Sequence, residues 1–244
     1  MKPVWDLHCG DCLDPVTGLA SLGDKSVDHV ITDPPYSRDL YTRFRTNKGS
    51  LPHRSNDAAV QLASGRIGAI DDIMRPIAEH VGRVLRRWAI IFCDVEIVHR
   101  WRTELEAAGL EHARVGAWVK SQPTPQISGD RPGQGFEACE IAHPTGRKRW
   151  NGGGSAGTWF GASEKTRDRP DHPCPKPEWL MERLVRDFTD PGDLILDPFM
   201  GSGTTGVAAI RLGRRFIGWE KDPKYHAIAL KRLTAAKEQL ELCA

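Results

Sequence analysis

Asp193-Leu194-Ile195-Leu196-Asp197-Pro198-Phe199-Met200-Gly201-Ser202-Gly203-Thr204-Thr205-Gly206 spells a short apolar strand, a glycine turn and the start of a helix that runs on through Val207 to Leu212. Glycines let the backbone turn tightly and approach a ligand, and the unpaired amides of a helix start face that ligand. Gly201-x-Gly203-x-x-Gly206 matches the dinucleotide fingerprint. Arg215-Phe216-Ile217-Gly218-Trp219-Glu220 then supplies a strand ending in an acid, the residue type that binds ribose hydroxyls. Such a unit suits NAD, a flavin nucleotide or S-adenosylmethionine. No lysine stands in the turn, which argues against a nucleoside-triphosphate loop.

Working outward, short apolar runs alternate with helical patterns, the signature of a parallel sheet with crossover helices. Strands are expected at Val4–Cys9, Val27–Thr32, Trp88–Cys93, Ala113–Val119, Phe136–Ala142, Leu194–Leu196 and Phe216–Trp219. Ile73, Ile77, Val81, Val84 and Leu85 recur at helical spacing within Asp71–Arg87, and Val95–Ala108 behaves alike. Pro177–Phe188 and a helix opening at Asp222-Pro223 and running to Leu242 complete the set. The class is α/β, with a mostly parallel sheet and helices on both faces. Residues 37–69, and 121–177 apart from its one strand, resist assignment, and irregular stretches of that length usually serve a function.

Composition narrows the alternatives. Of 244 residues, 39% are hydrophobic and 27% charged, as in an ordinary soluble globular protein. The longest strongly apolar run, Trp88–Cys93, is six residues, against about 20 for a membrane span, and no signal-like stretch follows Met1. A cytoplasmic protein with no membrane partner is expected. Six cysteines spread over this length are not a disulfide scaffold. Cys9-Gly10-Asp11-Cys12 is a CxxC, but a structural zinc site needs four ligands and there is no second CxxC, so no metal is expected. The net charge of +2 announces no nucleic-acid partner by itself. Its distribution says more, because residues 38–70 hold six basic side chains, Arg38, Arg43 and Arg45 among them, against two acidic ones. That segment is either a solvated loop or a phosphate-contacting one.

The strand Val27–Thr32 runs into Asp33-Pro34-Pro35-Tyr36. Each proline holds the residue before it extended, so Asp33 and Pro34 stand stiffly beyond the strand end. The Asp33 carboxylate and the Pro34 carbonyl are then two acceptors that fit an NH2 group. Tyr36 adds a face for a planar ring, a contact worth about 1 to 3 kcal/mol for a base.

The corner Thr32-Asp33-Pro34-Pro35-Tyr36, the turn Asp197-Pro198-Phe199-Met200-Gly201-Ser202-Gly203-Thr204-Thr205 and the intervening His172-Pro173-Cys174-Pro175-Lys176-Pro177 together resemble the DNA amino methyltransferases. The catalytic motif precedes the cofactor motif, as in the circularly permuted beta group. The third segment departs from the group's HPTQKP at Cys174 and Pro175.

The resemblance implies a Rossmann-like S-adenosylmethionine-dependent methyltransferase fold in a single domain of residues 1–244. It comprises a catalytic half (1–120), target-recognition insertions (37–70 and 121–171) and a cofactor half (172–244). It implies that Asp33 and Pro34 accept hydrogen bonds from the target amino group and that Tyr36 stacks on its ring. Phe199, Gly201 and Gly203, with Asp197 and Thr204, would hold S-adenosylmethionine, Glu220 its ribose and Asp11 its adenine, while Lys176 belongs to the cofactor-side loop. The expected partner is double-stranded DNA, its target base flipped out of the duplex. A homodimer and a companion restriction endonuclease are left open. Aspartate at the first position of the corner leans to the position-6 amino group of adenine over the position-4 amino group of cytosine. Arg147-Lys148-Arg149-Trp150, three cations beside an aromatic, is either a phosphate contact together with Arg38, Arg43 and Arg45 or part of a solvated loop. Lys120 either faces the catalytic pocket or caps its strand. Two other classes stay in view, a nicotinamide-dependent oxidoreductase and a non-catalytic DNA-binding module.

Overall fold

A computed structural model describes residues 4–38, 70–123, 132–162 and 176–242. Arg43, Arg45 and the His172–Pro175 part of the third motif lie outside the described residues.

Eight strands form one sheet: β1 (Trp5–Cys9), β2 (Val27–Thr32), β3 (Leu85–Cys93), β4 (Leu110–Lys120), β5 (Phe136–Pro144), β6 (Thr158–Gly161), β7 (Leu194–Asp197) and β8 (Arg215–Glu220). Their spatial order is β1-β8-β7-β2-β3-β5-β4-β6. Every pairing is parallel except the two made by β5, which alone runs in reverse. Among the described residues five α-helices accompany them: α1 (Met74–Val84), α2 (Val98–Ala107), α3 (Glu178–Phe188), α4 (Thr204–Arg211) and α5 (Pro223–Leu242).

The alternation of side chains along a strand divides the core in two. Ile31, Ile90 and Phe92 point to the face covered by α3, α4 and α5, and that layer is closed by Leu184, Val207 and Leu233. Val30, Ala89 and Ile91 point the other way, against Ile77, Val81 and Trp101 of α1 and α2. With helices on both faces the central strands are largely buried, which is why β3 reads as an unbroken apolar run from Trp88 to Cys93. The 20-residue α5 is held by a narrow stripe, Ala229, Leu233 and Ala236, at helical spacing.

The expected bounds of β2 coincide with those observed. Two differences are instructive. The helix expected to reach Arg87 stops at Val84, where Leu85 turns extended (φ −76°, ψ 137°) and begins β3 directly. Leu85 pairs with Val27, and the Arg87 guanidinium binds Asp190 at 3.0 Å and Asp193 at 2.8 Å, so the sheet claims residues whose local pattern is helical. The second is β6, a strand not expected within 121–171, which pairs in parallel with β4 and buries Trp159 against Phe188. Among the described residues no helix is long and apolar enough to cross a membrane.

Candidate active site

β2 leads through α1 to β3 on one side, and β7 leads through α4 to β8 on the other, so the order of the sheet reverses between β2 and β7. Ligands of open α/β sheets bind in the crevice outside the carboxyl ends of the strands at such a point. The Asp33-Pro34-Pro35-Tyr36 corner leaves the tip of β2 and the glycine turn leaves the tip of β7.

The corner is pinned on several sides. Asp94 Oδ2, beyond β3, accepts the Ser37 N–H at 3.1 Å, and Asp71 Oδ2 accepts that of Arg38 at 2.8 Å. The Tyr36 hydroxyl donates to Glu137 Oε2 at 2.8 Å. Lys176 places its ammonium 2.5 Å from Asp33 Oδ2, 3.1 Å from Glu137 Oε2 and 3.2 Å from the Tyr36 hydroxyl. The ammonium therefore sits on the catalytic corner rather than on the glycine turn. Asp33 Oδ1 is buried and has no hydrogen-bond partner among the described residues. Burial raises the Asp33 carboxyl above its ordinary range, against the pull of Lys176. Glu137 behaves oppositely: burial pushes it up, but Lys176 and Lys120 outweigh that and hold it at about 2. Burial, then Asp33 and Glu137, keep the Tyr36 phenol neutral.

On the cofactor side, Asp197 ends β7 and is 2% exposed. Its oxygens take the Thr32 hydroxyl at 2.6 Å, the Phe199 N–H at 3.0 Å and the Thr205 hydroxyl at 2.8 Å, tying the two strand tips together. Burial lifts its carboxyl to about 6 despite these donors. Gly201 and Gly203 have φ of 52° and 81°, a region that side chains avoid, and Gly203 is the residue that starts α4. Arg232 of α5 braces the turn, bonding the Ser202 carbonyl at 2.6 Å and the Thr204 hydroxyl at 3.3 Å, so Thr204 already has a protein partner. Phe199 and Glu220 are half-buried beside the turn. Burial raises the Glu220 carboxyl, one oxygen of which accepts the Asp222 N–H at 2.8 Å. The Gly10 N–H donates to the Glu220 carbonyl at 3.0 Å, which puts exposed Asp11 on the next tip in the row. Glycine turn, Glu220 and Asp11 thus follow one another along β7, β8 and β1. In the CxxC, burial and then Asp11 push the Cys12 thiol up to about 12, so it remains a thiol at neutral pH.

The cationic trio lies away from this crevice. Arg147, Lys148 and Arg149 line a concavity of about 630 Å³ with Trp150 and Gly153. They follow β5, the reversed strand, and so emerge at the amino-terminal end of the parallel strands. Thr32 is level with Ile91 and Ile91 with Glu140, so the stretch of β5 from Cys139 to Pro144, about 17 Å, separates them from the level of Asp33. There the Arg149 carbonyl accepts the Trp88 indole N–H at 2.7 Å, and the Arg149 guanidinium lies 3.7 Å from Asp190. Arg38 does stand at the catalytic end, paired with Asp72 at 2.7 Å. The sequence reading did not single out Glu137. Its trace was one of two acids, with Glu140, in a strand whose other residues from Phe136 to Ala142 are apolar.

A DNA methylase family profile, N6_N4_Mtase, matches residues 27–231. The type II methyltransferase M2.DpnII of Streptococcus pneumoniae is 30% identical over 90% of this chain and 87% of its own. M2.LlaDCHI of Lactococcus lactis subsp. cremoris is 29% identical over 88% and 85%. Among solved structures, an M1.HpyAVI–SAM complex superposes with a TM-score of 0.70 at 25% identity, over 94% of this chain and 98% of the other. PvuII DNA methyltransferase, cytosine-N4-specific, reaches 0.69 at 18% over 98% and 95%, a likeness of fold. With the permuted motif order, the corner and the glycine turn at one crevice, the chain belongs to the N6/N4 DNA methylase family.

Proposed function

We propose that this DNA methyltransferase transfers a methyl group from S-adenosylmethionine to the position-6 amino group of adenine at a specific duplex site, the base being flipped out to reach it. The observation that carries the proposal is the unpartnered, buried Oδ1 of Asp33 at the switch-point crevice. A buried acceptor left without a donor costs about 1 to 3 kcal/mol, a cost that a substrate N–H removes.

The residues present fit the donor, which one solved relative is named as binding. The glycine turn offers close backbone approach, Phe199 an apolar wall, Glu220 a ribose acceptor and Asp11 a polar rim. Bound there, S-adenosylmethionine supplies a methyl group on a positively charged sulfur. Asp197, saturated by protein donors, shapes the turn.

An exocyclic amine is a poor nucleophile because its lone pair is delocalised into the ring. Asp33 Oδ1 accepts one of its N–H bonds and the Pro34 carbonyl the other, which favours a pyramidal nitrogen with its lone pair outside the ring. Acceptors fixed beforehand need no reorganisation during reaction. The lone pair becomes the new N–C bond and the old C–S pair stays with sulfur. The surplus N–H proton is held at Asp33 Oδ1 before passing to water. Tyr36 supports the ring. Alignment of this kind supplies about 7 to 11 kcal/mol without a covalent nucleophile.

Adenine is favoured over cytosine because the corner begins with aspartate. The test is to express the chain in cells lacking DNA methylation and to analyse plasmid nucleosides and modified positions by sequencing. N6-methyladenine at a short recurring sequence is expected. N4-methylcytosine would overturn the choice of base, and unmodified DNA the whole proposal. The type II names of two relatives support a companion endonuclease as a partner.

A further inference from the structure

Lys176, Glu137 and Lys120 form a chain of charges behind Asp33. Glu137 Oε2 takes both the Lys176 ammonium at 3.1 Å and the Tyr36 hydroxyl at 2.8 Å, while Oε1 takes the Lys120 ammonium at 2.6 Å. Cation and anion alternate from Lys120 at the end of β4 through Glu137 on β5 and Lys176 ahead of α3 to Asp33, and the four charges cancel. An ammonium has three N–H donors. Lys176 has three acceptors around it, Asp33 Oδ2, Glu137 Oε2 and the Tyr36 oxygen, one for each. Nothing is left over for Asp33 Oδ1, which stays unbonded. Lys176 is 9% exposed, so water does not easily substitute for a lost partner.

We propose that Glu137, backed by Lys120, is a positioning residue of methyl transfer: it holds one Lys176 donor away from Asp33, so that Oδ1 is kept open for the target amino group. This rests on the function proposed above. Glu137 bonds Lys176, Lys120 and Tyr36 and acts on the reacting atoms only through them. Without its charge, the freed Lys176 donor turns to the nearest remaining anion, Asp33, and fills the acceptor that the substrate needs. The same substitution removes a negative charge from beside Asp33. The charged and titratable groups around Asp33 are Lys176, Glu137 and Tyr36, with Lys120 behind Glu137, Asp197 at the tip of β7 and Cys93 at the tip of β3.

The experiment compares Glu137→Gln and Lys120→Met with the unaltered enzyme in single-turnover methylation of plasmid DNA. Rates are taken per cofactor-binding site counted by calorimetry, which removes any unfolded fraction. Glu137→Gln should lower the transfer rate about 10- to 100-fold with cofactor affinity unchanged. It should also move the acid limb of the pH–rate profile to lower pH, since Asp33 loses an anionic neighbour. Lys120→Met should move that limb the opposite way, because it leaves the cluster with one excess negative charge. Opposite displacements support the positioning role. A rate and limb unchanged in both variants, or an equal loss in both with the limb unmoved, overturns it. Absence of methylation by the unaltered enzyme would instead refute the function on which the role rests.

Discussion

Asp33 and Asp197 stand at the tips of the neighbouring parallel strands β2 and β7; Asp197 is buried whole, whereas Asp33 is half-buried with only its Oδ1 shut away from solvent. Asp197 is met by three neutral donors, two hydroxyls and an amide, and both its oxygens are bonded. Asp33 is met by one ammonium on one oxygen, and its other oxygen is bare. The contrast separates two uses of the same side chain. A carboxylate whose oxygens are both supplied by its own chain is a strut, here joining β2 to the glycine turn. One left half-supplied in a crevice is a docking point, because binding a donor there relieves an existing cost.

The sharpest way to break this contrast is to remove each carboxylate. Asp33→Ala should cut single-turnover methyl transfer at least about 1,000-fold while cofactor affinity stays within a factor of about two. A variant retaining more than a tenth of the rate would put the chemistry elsewhere. Asp197→Ala should show the reverse emphasis. It strands the Thr32 and Thr205 hydroxyls and the Phe199 amide, and should lower unfolding free energy by about 3 to 5 kcal/mol in denaturant titration. Equal stability would mean that the strut bears nothing.

A pH series sharpens the same point. The folded Asp197 carboxyl is raised to about 6, above the ordinary value of 3.8 that it has when unfolded. Well below pH 3.8 both states hold the proton and the site makes little difference. As pH climbs from 4 to beyond 6, the unfolded chain ionises first, so stability is lost, by up to about 3 kcal/mol. Asp197→Asn lacks this loss, and its stability relative to the unaltered chain should improve between pH 4.5 and 7.5. A constant gap would show that the carboxylate is ionised throughout. The smallest effect is expected at Glu220: Glu220→Gln should weaken S-adenosylmethionine binding about tenfold by calorimetry, or about 1.4 kcal/mol, with the transfer rate at saturation nearly kept.

How much of this could be seen in the chain itself follows from how local each feature is. The corner and the glycine turn are written in consecutive residues, because prolines and glycines constrain the backbone where they stand. The end of β2 is legible because Val30-Ile31-Thr32, a β-branched run, gives way to Asp33-Pro34-Pro35. β3 was shortened because Leu85, Arg86 and Arg87 continue a helical pattern, and only pairing with Val27 and the acids Asp190 and Asp193 makes them strand. β6 is four residues long, and its partner β4 is about 40 residues earlier, so neither periodicity nor neighbours mark it. Glu137 went unnoticed because its partners, Lys120, Lys176 and Tyr36, are far from it in sequence.

The order of residues alone determined the α/β class, the permuted order of the two motifs, and the chemical nature of the groups at the tips of β2, β7 and β8. Such features depend on backbone restriction and on periodic burial, which act over a few residues. Only the tertiary structure decided that Lys176 reaches Asp33, that Glu137 and Lys120 stand behind it, and that Arg147, Lys148 and Arg149 emerge at the opposite end of the sheet. Each of these depends on strand pairing, above all on the single reversal of β5. A reversal is chosen by the packing of the whole sheet, and no local pattern records it.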